Sequence, residues 1–435
     1  MKRFTSRRNL TRRFSGRGVS VVGTAMLVGG LLLPITPAMA DRADVTIEVG
    51  SVPMSLAINP TGTYAYVTNA KSGTISLINL ATNSEEGAWP IGVTPFGLAI
   101  NPAGTFFYFT DIRLRDDPGN MVHRIKIDKN NVRSISVEAN IEVGLHPIYV
   151  AIDPAGRFAY VVNLDSDTVS KINIATNAVD ATIAVGDGPV AVAIDGAGTF
   201  AYVVNLDSDT VSKINIATNA VDATIEVGRN PENIAINSAG TFAYVTRLGV
   251  NGAFGTVARI NLTTYALDAT IVVGVNPYSI VINPAGSFAY VANYKSDTVS
   301  KISLETNTVV ETIKVGNGPI SIAINPAGTF AYVLNNGSGT VTRIKLTSNV
   351  SVATSTSIIT TSKSASAKTL AGYLKLAVPN GATISINVAP SSSKYCKVSG
   401  STLRGIKTGP CTVTVSVKPK SGKAVSKTMT FTVSK

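Results

Sequence analysis

The sequence predicts an all-β protein: a seven-bladed β-propeller with four-stranded blades, followed by a small β-sandwich. Three observations carry this. Seven tyrosines, Tyr66, Tyr108, Tyr160, Tyr202, Tyr244, Tyr290 and Tyr332, are spaced by 42, 52, 42, 42, 46 and 42 residues. Such a period marks one supersecondary unit repeated, each copy leaning on its neighbours for a core. Within each unit, short β-branched and aromatic runs alternate with Gly, Pro, Asn and Asp turns, without the long windows a helical repeat needs. The phrase that should close the last repeat is absent there and stands ahead of the first.

The unit from Pro147 to Gly186 shows the elements in order. Ile148 to Ile152 is an apolar run entered through a proline. Asp153-Pro154-Ala155-Gly156 is a turn in which proline presets φ and glycine supplies φ > 0. Phe158 to Val162 is aromatic and β-branched, a strand composition. Asn163 to Asp167 is a polar turn, and Thr168 to Ile174 alternates at the strand period. Thr176-Asn177 turns the chain, and Ala181 to Val185 is a fourth strand closed by Gly186. Four antiparallel strands in this length make one propeller blade.

The seventh unit runs from Pro319 through Tyr332 to Ile344, and after Leu346 the text becomes Ser/Thr-rich. Its missing fourth strand is found as Val45-Thr46-Ile47-Glu48-Val49-Gly50, ahead of blade one. Closing the ring with this strand against Thr340 to Leu346 leaves no open sheet edge. The alternative is that Val350 to Thr354 supplies the strand. One pair of blades is almost a copy: Phe158 to Gly186 and Phe200 to Gly228 differ only at Ala184 versus Glu226.

Tyr66-Val67-Thr68-Asn69, repeated as Tyr-Val-x-Asn in blades three, four, six and seven, resembles the motif of the YVTN-type β-propeller family of exported bacterial and archaeal surface proteins. Blade two departs with Tyr108-Phe109-Thr110-Asp111 and blade five with Arg247. The resemblance covers about residues 44–349. It implies the propeller fold and several different functions: surface proteins, a nucleic-acid-binding type, and relatives of lactonases and redox enzymes.

The first 40 residues read as an export signal. Lys2, Arg3, Arg7, Arg8, Arg12, Arg13 and Arg17 precede the apolar stretch Val19 to Leu33, and Ala38-Met39-Ala40 is a small-x-small cleavage site before Asp41. Ser6-Arg7-Arg8-Asn9-Leu10 resembles a twin-arginine signal; an Arg-rich Sec signal is the other reading. Either directs the chain to the outside or the cell wall. No segment of the mature chain reads as a membrane span. The domain reading is thus 1–40 signal, 41–349 propeller, 350–366 linker and 367–435 sandwich.

In that last segment Leu374 to Val378, Thr383 to Ile386, Cys411 to Val415 and Met429 to Val433 read as strands. Val398 to Leu403 and Ile406 to Val413 resemble bacterial Ig-like modules of cell-surface proteins. Cys396 and Cys411 are the only two cysteines. In an exported chain they form a disulfide most simply; a reactive or metal-binding pair lacks nearby histidines.

Charge divides the chain. Residues 41–350 hold 19 Lys and Arg against 26 Asp and Glu, whereas 351–435 hold 12 basic residues and no acid. The cationic module suggests a polyanionic partner: a wall polymer, an acidic polysaccharide or DNA. Lys418, Lys420, Lys423 and Lys427 gather around one turn as the contact group. The alternative is a lysine face that only keeps the module soluble.

For a ligand on the propeller, loops that break the repeat are the first place to look. The turn between strands two and three is five residues longer in blade two and four longer in blade five. It offers Arg113, Arg115 and Asp117, followed by His123, and then Arg247. The residues following the strand-one prolines, Met54, Phe96, Ile148, Val190, Glu232, Tyr278 and Ile320, either line a channel mouth or pack around the axis. With two histidines, His123 and His146, a three-histidine metal site is excluded. Asp165-Ser166-Asp167 and its copy Asp207-Ser208-Asp209 read as turns rather than calcium loops. No Ser-His-Asp arrangement or phosphate-cradling loop is recognisable, and no cofactor is implied. The favoured expectation is an exported, non-enzymatic binding protein: the propeller recognises a protein or small ligand, and the basic module holds wall or matrix. A lactonase-like hydrolase and a nucleic-acid-binding propeller are the alternatives.

Overall fold

The structure is a computed structural model. It describes residues 40–112, 119–128 and 134–347, and beyond them the strand segments 364–366, 383–388, 396–399, 402–405, 409–418 and 425–433. Residues 41–346 form one compact unit and 347–435 belong to another. The first unit is a ring of seven antiparallel four-stranded sheets.

Six blades are built in chain order. In blade three, for example, Pro147–Ile152, Phe158–Asn163, Thr168–Asn173 and Ala178–Ala184 pair successively from the axis outward. The seventh has Pro319–Ile324, Phe330–Asn335 and Thr340–Lys345, and its outer strand is Arg42–Glu48. Arg42 lies opposite Lys345 and Glu48 opposite Thr340. The seam therefore joins the two ends of the propeller by a strand pair, starting three residues earlier than the sequence phrase suggests. Ile47 goes into a cluster with Leu56, Val67, Tyr332, Leu334 and Val341, drawn from blades one and seven.

The tyrosines that mark the period are the core itself. All seven are buried, and six of them are among the largest fully buried side chains. Tyr108 packs with Val150, Ala159 and Ile172 of the following blade, and Tyr244 with Ile280 and Ala289 of its own successor. Each blade thus covers its neighbour's apolar face, which is why the unit has to recur.

The motif asparagine has an equally concrete role. In five blades its amide nitrogen donates to two hydroxyls on strand three: Asn163 to Thr168 and Ser170 at 3.1 and 3.0 Å, and likewise Asn69, Asn205, Asn293 and Asn335. The glycine ending the preceding blade lies flat against it. A Cβ on Gly186 would stand 2.7 Å from the Asn205 amide nitrogen. The polar turns are tied in too: the Asp167, Asp209 and Asp297 carboxylates accept from the backbone N–H of Gly188, Asn230 and Gly318. These aspartates carry φ near +55°, a left-handed conformation that Asp tolerates better than most residues.

In the second unit, Ser364–Ser366, Thr402–Gly405 and Cys396–Ser399 form one three-stranded antiparallel sheet, and Thr383–Val388, Gly409–Lys418 and Val425–Val433 another. Ser364–Ser366, read from sequence as linker, pairs with Thr402–Arg404. The expected strand Leu374 to Val378 lies outside the described residues. Cys396, Leu403 and Val413 are fully buried.

Candidate functional site

Every inner strand begins with a proline followed by a break in register, for example between Pro53 and Ser55, Pro147 and Tyr149, and Pro231 and Asn233. Such a bulge leaves one residue outside the ladder and redirects its side chain. In the seven blades the residue after the proline at the break is Met54, Phe96, Ile148, Val190, Glu232, Tyr278 or Ile320; in blade two Gly97 is also left out of the ladder. All seven line one central cavity of about 440 Å³. The sequence left open whether these residues line a channel mouth or pack around the axis; they line the cavity, and Met54, Ile148, Val190 and Ile320 are also buried. The bulge that aims them there had no sequence signal beyond the proline.

The lining is lopsided. Met54 and Ile320 are buried together with Phe96, Tyr278 and Tyr294 packed on them, and the Tyr278 and Tyr294 rings meet edge to face at 5.3 Å. Asn336 clamps this sector by donating to the Pro53 carbonyl at 2.9 Å. The other sector holds Tyr149, Glu232 and Asn233. Burial pushes the Tyr149 phenol up, opposed by its hydrogen bond with Asn233. Ser55, Ser279 and Ser321 add hydroxyls, and Glu232 is the one charged side chain in the lining. An aromatic and thioether wall facing a carboxylate, an amide and a phenol can hold a small molecule with an apolar body and a polar or cationic end.

The residues nominated from the long loops fare differently. Arg113, Arg115 and Asp117 lie outside the described residues. His123 is on strand three of blade two, opposite Phe109. Its ring stacks on Phe109 at 4.8 Å, Nδ1 is 2.7 Å from the Asn140 oxygen, and Nε2 is 3.8 Å from the buried Asp111 carboxylate. His123 occupies the place of the hydroxyl residue Ser76 in blade one, and Asp111 that of Asn69. Arg247 takes the asparagine position of blade five. Its guanidinium donates to Thr256 Oγ1, the Val227 carbonyl and Thr270 Oγ1, and burial lowers its pKa. Its nitrogens are thus engaged within blade five and with the end of blade four, where they replace the Asn–Thr–Ser bonds of the other repeats.

Lys418 and Lys427 lie on neighbouring strands of one sheet, opposite Thr383 and Val415 respectively; Lys420 and Lys423 are outside the described residues. Among the described residues no group of three or more His, Cys, Asp or Glu could hold a metal ion. None of the described helices is long and apolar enough to cross a membrane. A second depression lies between blades two and three, where Arg124 pairs with Glu138 at 2.9 Å.

No family model matches the chain, and no curated protein matches it. Among solved structures it is similar to a chain titled Kuenenia stuttgartiensis hydrazine synthase, with a TM-score of 0.60 and 20% identity over 72% of this chain and 99% of that one. A likeness at this identity shows the propeller fold.

Proposed function

We propose that the mature chain is an exported binding protein of the YVTN type, in which the central cavity takes a small amphipathic cation and the basic C-terminal module holds a polyanion. The observation that carries the reading is the cavity lining: one carboxylate, Glu232, placed opposite an apolar and aromatic wall. A lining whose single charge is negative favours a ligand that brings a positive one. The C-terminal module contributes through its charge, twelve basic residues and no acid over 351–435. In this reading it is Ig-like and closed by a Cys396–Cys411 disulfide, supported by a buried Cys396 and by the lack of any free cysteine among the described residues.

The cavity is tested by titrating the mature chain with aromatic and aliphatic quaternary ammonium compounds in a calorimeter. Binding should be saturable, and Glu232→Gln should weaken it by about tenfold or more, as expected for a lost charge-assisted contact of roughly 1.5–3 kcal/mol. Equal affinity in the variant would sink the assignment, and conversion of the ligand to a product would favour the hydrolase alternative. The module is tested by comparing chains 41–435 and 41–347 on immobilised duplex DNA and acidic polysaccharide. Retention should require residues beyond 347. On DNA, its logarithm should fall with the logarithm of salt by about 0.9 per neutralised phosphate. No retention at low salt would leave the lysines as a solvating face.

A further inference from the structure

The seam of the ring poses a problem that the other blades do not have. On strand three most blades place a basic side chain over the phenylalanine of strand two: Arg124 over Phe106, Lys171 over Phe158, and Lys213 over Phe200. Arg124 and Lys171 also reach across to the turn between strands three and four of the next blade. Arg124 donates to the Asn177 amide oxygen at 2.7 Å, and Lys171 to that of Asn219 at 2.8 Å. Tyr108 also points its hydroxyl at Asn177, 3.4 Å away. In blade six the same pair is Lys301 and Tyr290. The next blade, however, takes its outer strand from the other end of the chain, so it has no such turn.

Asp41 fills the gap. Aligning Asp41-Arg42-Ala43-Asp44-Val45-Thr46 with Asn177-Ala178-Val179-Asp180-Ala181-Thr182 puts Asp41 in the position of the turn asparagine. Its carboxylate lies 2.7 Å from Lys301 Nζ and accepts from the Tyr290 hydroxyl at 2.8 Å. It is 4% exposed, whereas Ala40 before it is exposed. The Asp41 backbone nitrogen donates to Glu311 Oε2 at 3.3 Å, and Lys301 Nζ is 3.9 Å from the same oxygen. Two carboxylates here share one ammonium. Burial pushes the Glu311 carboxyl up and Asp41's negative charge adds to this, while the Asp41 N–H and Lys301 oppose it.

We infer that the chain is cut between Ala40 and Asp41 and that the new α-ammonium group of Asp41 pairs with Glu311, completing the seam of the ring. This rests on the export reading above. The cut is a hydrolysis by a small-residue-specific signal peptidase. Water adds across the Ala40–Asp41 peptide bond, Ala40 leaves as a carboxylate, and the Asp41 nitrogen takes up a proton. An amide that offered one neutral donor becomes a cation with three. The cluster then holds two negative and two positive charges, at the point where the ring has no covalent link. Removing the signal supplies the second positive charge, and the strand Arg42–Glu48 is tied down at its free end.

Two measurements test the docking and a third tests the cut. Chain 41–435 is released from an N-terminal fusion so that Asp41 carries a free amine. A second chain keeps Ala38-Met39-Ala40 in front of Asp41 and has every side chain intact. Both are made with the native Glu311 and as the Glu311→Gln variant. Acylation of the Asp41 amine, followed by peptide mass, should be about tenfold slower in the native chain than in the variant, as for a pKa raised by one unit. The three-residue extension should lower the denaturation midpoint when Glu311 is present and leave it unmoved in the variant. Equal acylation rates, or an extension effect independent of the Glu311 carboxylate, would overturn the docking of the amine. Finally, the N-terminus of protein from the exported fraction is sequenced. A start at Asp41 supports the cut, and any other start overturns it. Retention inside the cell with the signal attached would overturn the export reading and with it the cut, and the acylation result would still decide the docking.

Discussion

Replacing Ile47 by alanine should destabilise the whole propeller, although the residue sits close to the predicted mature N-terminus. Terminal residues ordinarily tolerate such changes. Ile47 is 4% exposed and packs against Leu56 and Val67 of blade one and Tyr332, Leu334 and Val341 of blade seven. Truncating a buried isoleucine costs about 2–5 kcal/mol through lost burial and the cavity left behind. The matched control is Ile183→Ala, the same position in the outer strand of blade three and 5% exposed. The assay is urea unfolding followed by the single tryptophan, Trp89, which stacks on Tyr66 in blade one at 6.2 Å. Both variants should shift the midpoint by similar amounts with the slope unchanged. If Ile47→Ala leaves the Trp89 transition in place, or adds only a separate early step, the N-terminal strand is an appendage and the ring is held closed without it.

Gly186→Ala should cost about 1–3 kcal/mol, because the added methyl would overlap the Asn205 amide and the Ser208 hydroxyl. Gly87→Ala, which meets nothing within 4 Å, should be close to neutral in the same melt. The repeat tyrosines should contribute no pH dependence at neutral pH and a loss of stability in the alkaline range. Burial raises the pKa of all seven, that of Tyr202 to about 12. A phenol with a raised folded pKa contributes stability that is complete below its unfolded value, about 10, and is lost as pH climbs through the folded one. Denaturation midpoints from about pH 8 to 12 check this, and phenolate absorbance at the repeat tyrosines should appear together with unfolding rather than before it.

Much of the ring was legible because a repeat prints its packing in the sequence. The tyrosine recurs since every blade must seal the same gap, and the asparagine recurs since the same two hydroxyls need its amide. Deviations were legible as positions but not as roles. Arg247 and His123 stood out because they break the pattern at blades five and two, which suggested loop chemistry. Their contacts with Val227, Thr270, Asn140 and Phe109 come from residues up to 23 positions away, and no local signal announces those. Glu232 was legible as a residue at the channel mouth or the axis, and only the register break after Pro231 explains its direction.

The sequence by itself determined the strand count, the blade period and the identity of the strand that closes the ring, because these follow from local alternation, turn chemistry and the location of one displaced phrase. The tertiary structure decided which side chains meet. It brought Asp41 to Tyr290, Lys301 and Glu311 across some 250 to 270 positions. It also gathered seven bulged residues from seven blades into one cavity. The physical reason is that a closed ring makes non-neighbours adjacent only after every blade is in place.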